Sequence, residues 1–239
     1  MGRKSRELEL RSSKPQKEKK SFCEKNNLRK SKRKSKEYTL KNIIKIYFNS
    51  LETEYHYFEG FKKKLEGYDL IDLRLQIEKM KKKGGASPVE LLEYAIKNKQ
   101  KLEESWIVFD KDEFPNIHSV VCKAKQYNIN VAFSNPCFEL WFLNHYNYCE
   151  SSLSTSQCIE QIKRKFRENH RKIYLKNDTE CFESVYSRTK KAIKNSEKQY
   201  KKISEEFTNV DKQNPSTLVY LIVSKLEDAL KKAEDDLEI

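Results

Sequence analysis

Residues 106–114 read WIVFDKDEF, and the fold turns on how they are read. With Ser105 the segment is a continuous apolar run, SWIVFD, that ends on Asp110. A run of that kind suits a central parallel strand covered on both faces. Asp112 follows two positions later, and in extended chain residues i and i+2 point the same way. Two carboxylates side by side repel, so such a pair normally holds a cation. Hard carboxylate oxygens select Mg2+, with Mn2+ as its usual substitute. The same letters also suit an Asx-type turn or a helix cap after a strand, and D-x-D alone does not choose between the two.

Working outward, NIIKIYFN (42–49) is β-branched and aromatic with no helical period, and reads as a buried strand. TEYHYFEGFKKKLEG (53–67) reads as a helix, with Thr53 able to cap it, a stripe of Tyr57, Phe58 and Phe61, and Gly67 able to close it. YDLIDLRLQIE (68–78) reads as a second strand, and MKKKGGA after it as a loop. SPVELLEYAIKNKQ (87–100) is a helix, because Ser87 and Glu90 form a capping box with Pro88 at the first position. NIHSVVCKAKQY (116–127) reads as a helix and INVAFSN (129–135) as a fourth strand. The order β-α-β-α-β-α-β predicts an α/β protein with a mostly parallel four-stranded sheet, right-handed crossovers and helices on both faces.

From there the pattern turns helical. Segments 138–146, 154–166, 181–203 and 215–237 carry apolar residues at three- and four-residue steps. The carboxyl ends of strands one, three and four gather polar residues: Asn49 with Glu52 and Glu54, then Asp110 with Asp112, then Asn135 with Glu139 beyond it. Open α/β sheets bind their ligands in that crevice.

The chain of 239 residues is long enough for a substantial core. Its charged fraction is 36% against 37% hydrophobic, and the imbalance sits at the start. Residues 1–37 hold 15 Lys/Arg against 5 Asp/Glu, a net of +10 out of +13 for the whole chain, with only six apolar residues. Such a tail cannot offset its ordering entropy by burial and is expected to be disordered, with the domain beginning at residue 38. Its run Lys30, Lys32, Arg33, Lys34 and Lys36 suits a phosphate backbone. A solubilising leader and a dock for an acidic protein are the competing readings. The tail lacks the apolar core of a secretory signal, and no run approaches a membrane span. Six scattered cysteines form no C-x-x-C pair, which argues against a zinc site or a disulfide framework. A cytoplasmic protein with free thiols is the expectation.

Four stretches, LETEYHYF, VFDKDEF, SNPCFELWFLNHY and NPSTLVYLIVSKL, together resemble the RloB-like family. Its members resemble Toprim domains, the metal-dependent catalytic module of topoisomerases, primases and overcoming-lysogenization-defect nucleases. The resemblance implies a bacterial phage-defence component of the abortive-infection or restriction-linked kind, often paired with an AAA-type ATPase. It implies a Mg2+ site on Asp110 and Asp112 and a nuclease or phosphodiester hydrolase acting on DNA or RNA. The family's first-strand motif reads Glu-Gly, two residues, then Thr-Glu. Thr53-Glu54 matches the second half, whereas Asn49-Ser50 stands where Glu-Gly is expected. Asparagine has no titratable proton and cannot serve as a general acid or base. Its carbonyl remains a weak metal ligand, and Glu52 or Glu54 could take the proton-transfer role. The alternative is a non-catalytic subunit that binds nucleic acid or nucleotide.

Further candidates come with structural readings beside them. Glu139 sits among bulky apolar residues, as a site residue or as a buried hydrogen-bonded carboxylate. His145 is a candidate proton carrier or a satisfied core histidine. Phe138 and Trp141 read as core. Asn214-Pro215-Ser216-Thr217 reads as a helix start, and the resemblance adds that Thr217 could face the site.

Overall fold

The computed structural model describes residues 42–48, 53–68, 73–79, 86–111 and 113–237. Their elements are β1 (Asn42–Phe48), α1 (Thr53–Glu66), β2 (Leu73–Lys79), α2 (Pro88–Asn98), β3 (Glu103–Asp110), α3 (Ile117–Gln126) and β4 (Asn130–Asn135). There follow α4 (Glu139–Tyr146), α5 (Thr155–His170), α6 (Cys181–Tyr186), α7 (Thr189–Glu206), a 3-10 turn (Val210–Lys212), β5 (Ser216–Thr217) and α8 (Val219–Leu237). The sheet order is β2-β1-β3-β4-β5. β1, β2, β3 and β4 run parallel, and β5 pairs antiparallel with β4.

Alternation along the strands divides the core in two. Ile44, Ile46 and Phe48 of β1, Trp106 and Val108 of β3 and Ala132 of β4 pack with α1, α4 and α8. Tyr47, Ile107, Phe109, Val131 and Phe133 face the other way, onto α2 and α3. Period-two strands covered on both faces explain why SWIVFD is apolar throughout. Tyr57 stands at the centre of the first core, with ring centroids of Phe61, Phe138, Trp141, Phe142 and Phe182 all within 6.1 Å of its own. Helix α2 starts as its sequence dictates. The Ser87 hydroxyl accepts from Glu90 N at 3.3 Å, and Glu90 Oε2 accepts from Ser87 N at 2.9 Å.

Several expectations need correction. Among the described residues the sheet has five strands, because Ser216–Thr217 forms β5 instead of opening a helix, and α8 begins only at Val219. β5 covers the flank of β4: the Leu218 amide donates to the Phe133 carbonyl at 2.9 Å, so buried backbone groups of β4 find partners. Asn214 does not cap α8; its side chain bonds both backbone groups of Leu153. The helix expected over 181–203 is two helices. It breaks at Ser187–Arg188, where the Thr189 hydroxyl takes the Tyr186 carbonyl at 2.7 Å. The break lets α6 pack on α1 while α7 packs on α4. Thr53 is the first residue of α1 and its hydroxyl caps nothing, being used elsewhere as described below. β2 starts at Leu73, and Tyr68 belongs to the turn that closes α1. The basic tail with its 37/38 boundary and most of the loop after β2 lie outside the described residues.

Candidate functional site

β1, β3 and β4 end on one edge of the sheet, and α1 and α4 start there. The two-residue alternation decides which side each terminal residue takes. On β3, Trp106 and Val108 face the α1–α4 core, so Asp110 does too. On β4, Ala132 faces that core, so Ser134 does as well. The register sets Asp110 beside Ser134, and Ser134 beside Thr217. The hydroxyls of Ser134 and Thr217 lie 2.9 Å apart and both are fully buried. Asp110, Ser134 and Thr217 therefore form a polar row across three adjacent strands, about 4.8 Å per step. Thr217, placed here only by resemblance, is in that row. Asn135 is not: it pairs with Ser216 on the α2–α3 side, and its Nδ2 and the Ser216 Oγ are buried without a hydrogen-bond partner.

Two more carboxylates open the helices that start at this edge. Glu54 lies in the first turn of α1 and is largely buried. Glu139 opens α4 and is 1% exposed. A carboxylate so buried needs donors, and they come from the segment between α5 and α6. The Tyr174 hydroxyl donates to Glu139 Oε1 at 2.9 Å, and Lys176 Nζ stands 3.9 Å from the same oxygen. Thr53 Oγ1 donates to the Lys176 carbonyl at 2.9 Å and lies 3.3 Å from the Tyr174 hydroxyl. This segment is a strap that joins the starts of α1 and α4. Tyr174 is its buried anchor, while Ile173 and Leu175 on either side point to solvent.

Charge converges on the same place. The Cys137 thiol, just after β4, is pushed up by its hydrogen bond with Cys158, by burial, and then by the negative charges of Glu139 and Asp110. One buried thiol thus lies within the field of both carboxylates. Burial and the Glu139 charge also raise the Tyr174 phenol, which stays protonated as a donor. Cys137, Cys158 and Cys181 are free thiols.

His145 lies away from this edge. Fully buried on α4 among Tyr57, Trp141 and Phe142, it has Nδ1 2.9 Å from the Trp141 carbonyl. Burial draws it down to about 3, so it is neutral at ordinary pH and carries its proton on Nδ1 toward that carbonyl. The side chain that stacks edge-on against it, Trp141, is core, as is Phe138. Asn49, Glu52 and Asp112 lie outside the described residues, as do Lys30, Lys32, Arg33, Lys34 and Lys36. Among the described residues no three His, Cys, Asp or Glu side chains gather to hold a metal ion. The carboxylates of Asp110 and Glu54 offer oxygen donors, a chemistry that would suit Mg2+ or Mn2+ better than zinc.

A family model described as RloB-like protein matches residues 44–226. The chain belongs to the RloB-like family. The match runs from β1 into α8 and takes in all four stretches that carry the resemblance, at 51–58, 108–114, 134–146 and 214–226. It also encloses the strap, which the sequence reading passed over. A tyrosine flanked by two aliphatics inside an otherwise polar segment, RKIYLKND, was the available signal. The searches of curated proteins and of solved structures each returned no match. Among the described residues no helix is long and apolar enough to cross a membrane.

Proposed function

We propose that this RloB-like chain is a bacterial anti-phage defence protein with a Toprim-like, Mg2+-dependent phosphodiester-cleaving site at the carboxyl edge of its sheet. The substrate is DNA or RNA, and an AAA-type ATPase is the partner. The observation that carries the reading is the position of Asp110, at the end of β3 on the edge where α1 and α4 start with the buried carboxylates Glu54 and Glu139 in their first turns. A carboxylate at the end of a central strand, as Asp110 is, lies where open α/β sheets bind ligands and suits a bound cation.

In this reading Asp110 and Asp112 hold the ion. When bound, Mg2+ supplies Lewis-acid polarisation of a phosphoryl oxygen and a more acidic water. Glu54 or Glu52 orients or deprotonates the attacking water, and the Asn49 carbonyl is at most an extra ligand. Lys30, Lys32, Arg33, Lys34 and Lys36 hold the nucleic-acid backbone without reading sequence. Work of this kind is expected in the cytoplasm.

Asn49 supports a second reading, a subunit that binds nucleic acid or nucleotide and does not cut, because the residue expected to move a proton there cannot. Calorimetric titration with Mn2+ tests the metal site common to both. Wild type is expected to bind the ion, and Asp110→Ala to bind it markedly less while unfolding at the same temperature. Equal binding by both proteins puts the metal elsewhere.

A further inference from the structure

Beyond the basic tail, charge is spread unevenly. Residues 38–239 hold 34 Lys/Arg against 31 Asp/Glu, yet 163–172 alone hold six against one, so the remainder of that span is net negative. The excess lies on the carboxyl half of α5 and the residues that close it. Arginine is more concentrated still. Of those 34 cations only Arg74, Arg164, Arg167, Arg171 and Arg188 are arginine, and three of the five fall here. At about 100° per residue, Arg164, Arg167 and Arg171 lie within about 60° of one another. All three are exposed, on the side of α5 turned away from its buried Cys158, Ile162 and Phe166. Arg164 meets Glu168 only at 3.9 Å, an exposed contact of little strength. The side chains of Arg167 and Arg171 make no ion pair or hydrogen bond among the described residues. The lysines of α7 differ: Lys191 donates to the Tyr146 carbonyl, Lys198 lies over the Tyr148 ring and Lys202 pairs with Glu150. Arg171 also closes α5 at φ 54°, in the left-handed region where glycine or asparagine is usual. A long cationic side chain carried at that backbone cost points to a use for it.

We propose that the Arg164–Arg167–Arg171 face of α5 is a binding surface for a nucleic-acid backbone, separate from the basic tail. The proposal rests on the nucleic-acid reading above, and not on the metal or on cleavage. Solubility, or a match to the helix dipole, is served as well by lysine. The planar guanidinium instead takes two oxygens of one phosphate at once. From Arg164 to Arg171 the face is about 10 Å long, enough to meet about three phosphates, which recur about every 3.4 Å of duplex axis on each strand. Such contacts hold the backbone and read no sequence. Three residues past Arg171, Tyr174 donates to Glu139 at the start of α4, so the chain that carries this face runs directly to the edge where β3 and β4 end. An anionic membrane is the competing occupant, because Ile173 and Leu175 are exposed just beyond the helix. A helix that lies on lipid turns its apolar stripe into the bilayer. The apolar stripe of α5 is in the protein core, which favours nucleic acid.

The test uses the full chain, EDTA to prevent cleavage, fluorescein-labelled duplex DNA, single-stranded DNA and RNA, and vesicles of equal parts phosphatidylserine and phosphatidylcholine. Anisotropy across a salt series gives affinity and its salt slope. Phenylglyoxal modification read by mass spectrometry maps the arginines covered on binding. The triple variant Arg164→Ala, Arg167→Ala, Arg171→Ala is compared with Lys190→Ala, Lys194→Ala, Lys201→Ala, which removes the same charge from exposed positions on α7. The arginine variant should bind oligonucleotide roughly tenfold more weakly, with the slope of log K against log salt lower by about two. The α7 variant should stay within about twofold of wild type. In wild type the three arginines should be protected by oligonucleotide, and replacing them by lysine should recover the salt slope. Wild type that binds while these arginines stay fully reactive and the arginine variant binds unchanged overturns this surface alone. An equal loss in the α7 variant overturns it too, as diffuse charge would explain both. A loss confined to vesicles replaces it with a membrane surface. Wild type that binds no oligonucleotide overturns the nucleic-acid reading and this proposal with it.

Discussion

The residue that explains most about the site is Tyr174. A single phenol satisfies a buried carboxylate, touches Thr53 and keeps a ten-residue strap in place. Tyr174→Phe keeps the ring and removes the donor. It is expected to lower stability by about 1–3 kcal/mol, the cost of stranding a buried acceptor, read from urea denaturation at constant m-value. His145 makes a different prediction. Its folded-state value is drawn down to about 3 from an ordinary 6.5. Between those values the unfolded chain binds a proton that the folded chain does not, so stability rises with pH across that window and falls on acidification below about 6.5. The slope from this residue reaches at most about 1.4 kcal/mol per pH unit. Denaturation midpoints at pH 5 and pH 7 should differ less in His145→Leu than in wild type. An identical pH dependence in the two proteins would show that His145 is not the buried neutral group described.

At the scale of elements, α1 is the piece that joins core to site, carrying Glu54 at its start and packing α6 along its length. Gly60 makes that packing close. A Cβ there would stand 2.2 Å from the Phe182 ring, which is itself buried in the core. Gly60→Ala should therefore destabilise by about 1–3 kcal/mol despite the better helix propensity of alanine, as a thermal-unfolding comparison would read directly. Elements with local signals were legible in the sequence: the Ser87–Glu90 capping box, the β-branched run of β1, the continuous apolar run of β3. What was not legible depends on contacts far apart in the chain. β5 is two residues that become a strand only because the end of β4, more than eighty positions earlier, offers them a ladder. The break between α6 and α7 serves two different packing partners, and helical periodicity alone cannot show it. Asp110 and Thr217 were legible as site candidates. Their shared row needed the register, and the strap that serves Glu139 has no motif of its own.

For the whole molecule, the two-faced α/β sheet brings Asp110, Ser134 and Thr217 into one row at its edge. Alternation sends Asp110, Ser134 and Thr217 to the face covered by α1 and α4, the helices that open with Glu54 and Glu139. Elsewhere that face is aromatic and dry, so the carboxylates stand in a setting where charge interactions are strong. The family assignment agrees with the layout, since the matched region begins in β1 and ends in α8. The activity proposed for this edge is phosphodiester cleavage with a bound divalent ion. The most direct measurement is cleavage of plasmid, single-stranded DNA and tRNA with Mg2+ or Mn2+, with and without the proposed ATPase partner, by wild type, Asp110→Ala and Asn49→Glu. Metal-dependent cleavage is expected of wild type, with a fall of about a hundredfold or more in Asp110→Ala and equal or faster cleavage by Asn49→Glu, which regains a proton-transfer group. Cleavage by Asp110→Ala at the wild-type rate, or no cleavage by wild type and Asn49→Glu on any substrate with metal and partner present, would contradict it.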